Sequence, residues 1–177
     1  MIRLVPLDLP NLRRLAAGEP GDFAGMTVHE GGPPPRHVAA RALAQLEAGT
    51  PAAWCVPYLI VPASRDAVLG GCGFKTAPVD GSVEISYGVA KSQRGRGIAT
   101  AAVGELLRLA ADSGVVREVV AHVLPDNVAS SRVVARLGFA PGPAFVDTDG
   151  ATVVRWAWRL AGGGSERQRG SGLNDAP

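Results

Sequence analysis

Seven apolar, strand-like stretches and four amphipathic helical ones, intermixed along the chain, predict an α/β domain on a mixed, mostly antiparallel central sheet of about seven strands flanked by about four helices. Turn chemistry at Pro62-Ala63-Ser64-Arg65-Asp66 and at Asp149-Gly150 joins neighbouring strands as hairpins, which makes much of the sheet antiparallel. The near-continuous apolar run Val115 to Leu124 fits the centre of a sheet covered on both faces. The domain is assigned to residues 1–160. Residues 161–177, rich in Gly, Ser, Arg and Asn, are assigned to a disordered tail.

Ile2 to Val5 reads as the first strand and Pro10 to Ala17 as the first helix, with Leu12, Leu15 and Ala16 on one face. Residues 18–36 hold five glycines and four prolines, which bars regular structure and implies a long loop. Val38, Ala42, Leu43 and Leu46 then recur at helical spacing over His37 to Ala48, and Gly49 stops that helix. Ala52 to Val61 and Ala67 to Phe74 read as a strand pair. Pro57 places the first at an edge or a bulge, because proline donates no ladder hydrogen bond. The Gly70-Gly71-Cys72-Gly73 run weakens the second unless something packs closely on its backbone.

Val83 to Val89 is the clearest strand, with Val83, Ile85, Tyr87 and Val89 on one face and Glu84, Ser86 and Gly88 on the other. Gly97 to Ser113 is the long helix, with Ala99, Val103, Leu106, Leu107 and Ala110 inward and Gly114 ending it. Val115 to Leu124 follows as a strand and Asn127 to Leu137 as a helix closed by Gly138. The last two strands span about Ala144 to Thr148 and Ala151 to Leu160.

Composition narrows the function classes. The 177 residues are 46% hydrophobic and 19% charged, ordinary for a soluble globular protein, and no apolar run approaches the ~18 residues of a membrane helix. The first residues carry Asp8, Asn11, Arg13 and Arg14, unlike the uninterrupted apolar core of a secretory signal, so the expected location is cytoplasmic. A net charge of +2 with scattered arginines argues against nucleic acid as a partner. Cys55 and Cys72 are expected as buried free thiols, and the isolated His29, His37 and His122 give no metal-ligand spacing.

The most telling segment is Arg94-Gly95-Arg96-Gly97-Ile98-Ala99, which ends an apolar strand and opens the long helix. Helix starts leave N–H groups without intrahelical partners and carry partial positive charge, so anions settle there. Glycines let the backbone approach a ligand closely, and Arg94 and Arg96 add fixed positive charge. A P-loop would require Lys-Ser/Thr after Gly97, where Ile98-Ala99-Thr100 stand, and a dinucleotide fingerprint would require Gly or Ala at position 100. What remains is Arg/Gln-x-x-Gly-x-Gly/Ala, met by Arg94, Gly97 and Ala99.

That pattern resembles the coenzyme A loop of the GNAT superfamily of N-acetyltransferases. A second match lies downstream: Asn127-Val-Ala-Ser130-Ser131-Arg132 leading into Ala135-Arg136-Leu137-Gly138-Phe139 is similar to that superfamily's Asn-x-x-Ser helix and Leu-Gly-Phe ending. The segments Ile2 to Leu7 and Glu84 to Val89 are similar to the branch of ribosomal-protein N-terminal (RimJ/RimL-like) acetyltransferases, and the resemblance extends over roughly residues 1–160. It implies a GNAT fold, acetyl-CoA as acetyl donor, and direct transfer to a primary amine, first a protein or peptide α-amine. A small-molecule or antibiotic amine, or a non-catalytic acyl-CoA sensor, are the alternatives. A monomer or homodimer is expected.

The coenzyme-binding residues this implies are Tyr87, Val89, Arg94, Gly95, Arg96, Gly97, Ile98, Ala99, Thr100, Asn127 and Ser130, with strand backbone at Tyr87 to Val89 offered to the pantetheine amides. For proton removal Glu84 is the candidate, because it faces away from the apolar side of its strand, with His122 in reserve. Ser130 is the candidate proton donor to the leaving thiolate or hydrogen-bond partner of the thiol, with Tyr87 the weaker choice as acid because alternation places it among core residues. Asn127 is also a natural N-cap. Trp54, Trp156 and Trp158 read as core or sheet-face residues, Trp54 with a substrate-lining alternative. In the 18–36 loop, which family architecture places over the acceptor, Phe23, Met26 and His29 are candidate lining residues.

Overall fold

The computed structural model describes residues 1–161; the tail assigned above lies, from residue 162 onward, outside the described residues. Seven strands form the main sheet: β1 (Ile2–Pro6), β3 (Tyr58–Pro62), β5 (Gly70–Phe74), β6 (Ser82–Val89), β7 (Glu118–Val123), β9 (Thr152–Arg159) and β8 (Ala140–Val146), in that spatial order. Only β6 and β7 run parallel; every other neighbouring pair in this sheet is antiparallel. Two-residue strands β2 (Thr27–Val28) and β4 (Ala67–Val68) pair separately. The helices are α1 (Leu9–Ala17), α2 (Arg36–Glu47), the single turn α3 (Ala52–Cys55), α4 (Ile98–Asp112) and α5 (Val128–Arg136). Among the described residues no helix is long and apolar enough to cross a membrane.

Strand alternation separates two cores on opposite faces. Val83 and Ile85 of β6 and Val119, Ala121 and Val123 of β7 pack with the inner face of α4, where Ala102, Val103, Leu106 and Ala110 have no exposure. On the other face, Leu59 and Val61 of β3 pack with Leu12 and Leu15 of α1 and Ala39 and Ala42 of α2. This second core covers only the β1–β3–β5 side. Glu84, Ser86, Glu118 and His122 lie on the same face further along, and each is half-buried.

Several expectations need correction. Ala52 to Val61 is not one strand: Pro51 opens the helical turn α3, and Pro57 stands between α3 and β3 instead of inside a strand. Lacking an N–H, Pro57 still serves as an acceptor, its carbonyl taking the Leu7 N–H at 2.9 Å. Ala67 to Phe74 divides into β4 and β5. The Val115 to Leu124 run begins pairing only at Glu118, because Ser113 Oγ holds the Val115 and Val116 amides in a turn, and the Arg117 and Glu118 amides both donate to Gly81 O. Strand β8 starts at Ala140, earlier than expected, with an irregularity between Pro141 and Ala144. Cys55 and Cys72 are buried free thiols as expected, although Cys55 lies in α3.

The condition set by the glycine run is met. A Cβ on Gly71 would sit 3.1 Å from Pro34 Cγ, and one on Gly73 would sit 3.2 Å from Pro57 Cα, so the proline segments lie directly on the backbone of β5.

Glu118 fastens the strands next to the site. Its carboxylate accepts from Arg155 and from Arg159 (3.1 Å) on β9 and from Ser82 Oγ (3.2 Å) on β6. Burial pushes this carboxyl up, but the Arg155 and Arg159 hydrogen bonds, the Arg155 charge and the Ser82 hydroxyl outweigh it and leave it below its ordinary value. A depressed carboxyl stabilises the fold above its unfolded pKa of about 4.3 and loses that contribution as pH falls through the folded value. Glu118→Gln should therefore cost about 1–3 kcal/mol at pH 7 and progressively less below pH ~4. Urea titrations at the two pH values check this; an equal difference at both would remove the ionic role.

Candidate functional site

The sheet is split where the site forms. Pairing between β6 and β7 stops at Glu84 opposite Val120, and beyond it Ile85 to Val89 pair only with β5, while Ala121 to Val123 pair only with β9. The separated strands leave the β6 edge free at the residues expected to meet a ligand chain. A cleft of about 430 Å³ follows the split, walled by β6 from Tyr87 to Val89, the turn into α4, and one face of α5.

At the start of α4, Gly97 adopts φ +74°, and a Cβ there would meet nothing within 4 Å. The Ala101 N–H donates to Gly97 O at 3.0 Å, so the amides of Ile98, Ala99 and Thr100 have no acceptor within the helix. Arg94 borders the cleft, and its Nε donates to Val89 O at 3.2 Å, tying the loop to the strand end. Free amides, an open glycine and an arginine form a cradle that fits a diphosphate.

Of the eleven residues implied for coenzyme binding, ten line this cleft. Arg96 does not: its Nη1 donates to Oε1 of Gln93, a lining residue, at 3.2 Å. The Val89 carbonyl, expected to be free, is shared with Arg94. Asn127 caps α5, its Oδ1 accepting the Ser130 N–H at 3.1 Å, so the capping reading holds and the same residue borders the cleft. Ala129, Arg132, Val133 and Arg136 also line it. Their i, i+3, i+4, i+7 spacing is a helix face, a signal present in the sequence that was not used.

Tyr87 reaches the cleft despite its place in the apolar alternation. Its hydroxyl donates to Ser130 O at 3.3 Å. Burial raises this phenol above its ordinary value, and the Ser130 contact offsets part of the rise, so the group keeps its proton at neutral pH.

The two candidates for proton removal meet. His122 Nδ1 lies 3.0 Å from Glu84 Oε1, and Lys75 Nζ is paired to the same oxygen. Glu84 Oε1 is buried and makes no regular hydrogen bond, so His122 and Lys75 meet it as close polar neighbours. The His122 ring stacks edge-on against Phe145 with centroids 5.1 Å apart. Glu84 therefore stands at the vertex of the split on the face opposite α4 and α5.

Residues 18–36 divide between the second core and the sheet face beside the site. Phe23 and Met26 pack against the second core, and His29 lies within hydrogen-bonding distance of Ser92 Oγ (3.4 Å) and Gln93 Nε2 (3.2 Å), bracing the turn before α4. The wall over β5 and β6 is the Gly31–Pro35 strap of the same loop, which with Gly71, Ser86 and Gly88 borders a second hollow of about 230 Å³. Trp54 stacks on Phe74 (centroids 5.0 Å) at the edge of the first core, where Trp156 and Trp158 also pack. Among the described residues no group of His, Cys, Asp and Glu has metal-binding geometry.

The family profile described as "Acetyltransferase (GNAT) domain" matches residues 2–140. Among solved structures, RimL, a ribosomal L7/L12 alpha-N-protein acetyltransferase in complex with coenzyme A, is 22% identical with TM-score 0.58, covering 71% of this chain and 71% of that one. RimJ of Mycobacterium smegmatis in complex with CoA-disulfide is 20% identical with TM-score 0.62, covering 89% and 81%. The aminoglycoside acetyltransferase AAC(6')-Ib in complex with coenzyme A is 18% identical with TM-score 0.65, covering 90% and 95%. These likenesses are of fold. No curated protein matches the chain.

Proposed function

The chain belongs to the GNAT acetyltransferase family, and from that premise we propose that it transfers an acetyl group from acetyl-CoA directly to the α-amine of a protein or peptide. The observation that carries the donor side is the cradle at Gly97, open to the cleft and lined by amides without helical acceptors. Acetyl-CoA supplies the activated thioester carbon. The amine nitrogen bonds to that carbon, the carbon–sulfur bond breaks, one amine proton leaves through the Glu84–His122 pair, and the thiolate is protonated through the Ser130 hydroxyl, which takes a proton from water as it gives one up. Tyr87, bonded to the Ser130 carbonyl, holds that end of the cleft.

Energetics favour an α-amine. At pH 7 an α-amine of pKa near 8 costs about 1.4 kcal/mol to deprotonate, whereas a lysine near 10.4 costs about 4.6. A single carboxylate already shared with Lys75 suits the smaller task.

The test is an acceptor screen with acetyl-CoA consumption as readout, comparing short peptides with free N-termini against N-blocked lysine peptides and aminated small molecules. Free N-termini should be consumed fastest; preferential turnover of an antibiotic amine would overturn the peptide reading, and bound coenzyme without turnover would indicate a sensor. Ser130→Ala should lower kcat about 10- to 100-fold, with the KM for acetyl-CoA within a few-fold. Steady-state kinetics check it, and an unchanged kcat would remove Ser130 from the proton path.

A further inference from the structure

We propose that the hollow beneath the Gly31–Pro35 strap receives the side chain of the acceptor's first residue and selects an uncharged, apolar one, a specificity that rests on the α-amine reading above. The hollow adjoins the coenzyme cleft across β6, for Tyr87 and Gly88 line both. Its floor at Ser86 and Gly88 continues the strand face that begins at Glu84, and a rise of about 3.3 Å per residue puts Ser86 roughly 7 Å from Glu84. An amine held at Glu84 and His122 thus has its own side chain within one residue's length of the hollow.

The lining decides the chemistry. Pro33, Pro34 and Pro35 form a wall with fixed φ, packed on Gly71, so the cavity keeps its shape without ordering a loop. Among the described residues it is lined by no carboxylate, lysine or arginine. Cys72 borders it through its backbone only, since strand alternation turns its thiol into the α4 core on the opposite face. A charged side chain entering this space would lose hydration and meet, apart from the exposed His37 imidazole, no ionisable partner among the lining side chains.

The surrounding face carries the same discrimination to the whole acceptor. Its two carboxylates are already engaged, Glu84 with Lys75 and His122, and Glu118 with Arg155 and Arg159. A polycation with several ammonium groups meets cations there and no unpaired acid. A peptide presents one amine and an apolar neighbour, which this face accommodates.

The experiment measures kcat/KM for a set of peptides identical except for the first residue: Leu, Phe, Ala, Asp or Lys, with kanamycin as the polycationic comparison. Leu and Phe should exceed Asp and Lys by about 10- to 100-fold, and kanamycin should give no consumption above thioester hydrolysis. Val38 lines the hollow from α2 but not the coenzyme cleft. Val38→Trp should shift the Phe-to-Ala preference at least about tenfold toward Ala with the Kd for coenzyme unchanged, and Val38→Ala should shift it toward Phe. Equal rates for Lys- and Leu-first peptides, comparable turnover of kanamycin, or an unmoved preference in both folded variants would overturn the pocket assignment. Acetylation of no peptide would overturn the α-amine reading itself.

Discussion

Replacing Gly97 by glutamate should abolish coenzyme binding, raising Kd by about 1,000-fold or more, equivalent to about 4 kcal/mol. Two effects act together. The backbone at Gly97 has φ +74°, where a residue with a Cβ costs about 1–2 kcal/mol. The new side chain also enters open space, since a Cβ there meets nothing within 4 Å, so it carries a carboxylate into the cradle of amides without displacing the fold. Charge-assisted hydrogen bonds of about 1.5–3 kcal/mol each are replaced by repulsion. Gly97→Ala separates the two effects, losing only the backbone contribution. Calorimetric titration with acetyl-CoA reads both, and binding by Gly97→Glu within tenfold of the unchanged protein would refute the cradle.

The second large effect falls on turnover. Glu84→Gln keeps the size of the side chain and removes the charge that holds His122 and Lys75, so kcat should fall about 100- to 1,000-fold with coenzyme affinity within about threefold. His122→Gln should behave alike. Because the two residues act as one unit, the double variant should be little worse than the poorer single one. The pH dependence has a definite sign. An α-amine near pKa 8 loses its own proton as pH rises, so the deficit of Glu84→Gln should shrink above pH ~8. A deficit constant from pH 6.5 to 9.5, or unchanged turnover, would take proton removal away from Glu84.

What was legible in the sequence followed from local chemistry. The β6 alternation placed Glu84 and Ser86 on one face and the core residues on the other because that pattern has a period of two and both faces are occupied differently. The junction at Gly97 was legible because glycine spacing, helix start and arginines coincide within six residues. Position in a loop does not tell which of two neighbouring arginines lines a cleft; here Arg94 does, while Arg96 donates to Gln93 beside it. The Glu84–His122 contact was not legible at all. It depends on how far the parallel β6–β7 ladder runs before the strands part, a tertiary property that neither strand encodes alone. The same holds for the loop: glycine and proline content reads as barring regular structure over 18–36, yet Thr27–Val28 pairs with β4, and only the close approach of Pro34 to Gly71 turns residues 31–35 into a wall. Pro57 misled because proline was weighed as a strand residue when it is the boundary between a helical turn and a strand.

The central claim is that the split between β6 and β7, ending at the start of α4, holds the donor. A crystal structure of the protein with acetyl-CoA tests it directly. The diphosphate should accept hydrogen bonds from the amides at the start of α4, at about 2.7–3.2 Å, with the thioester alongside the Tyr87–Ser130 contact. Coenzyme seated elsewhere, with the Gly97 cradle vacant, would contradict it.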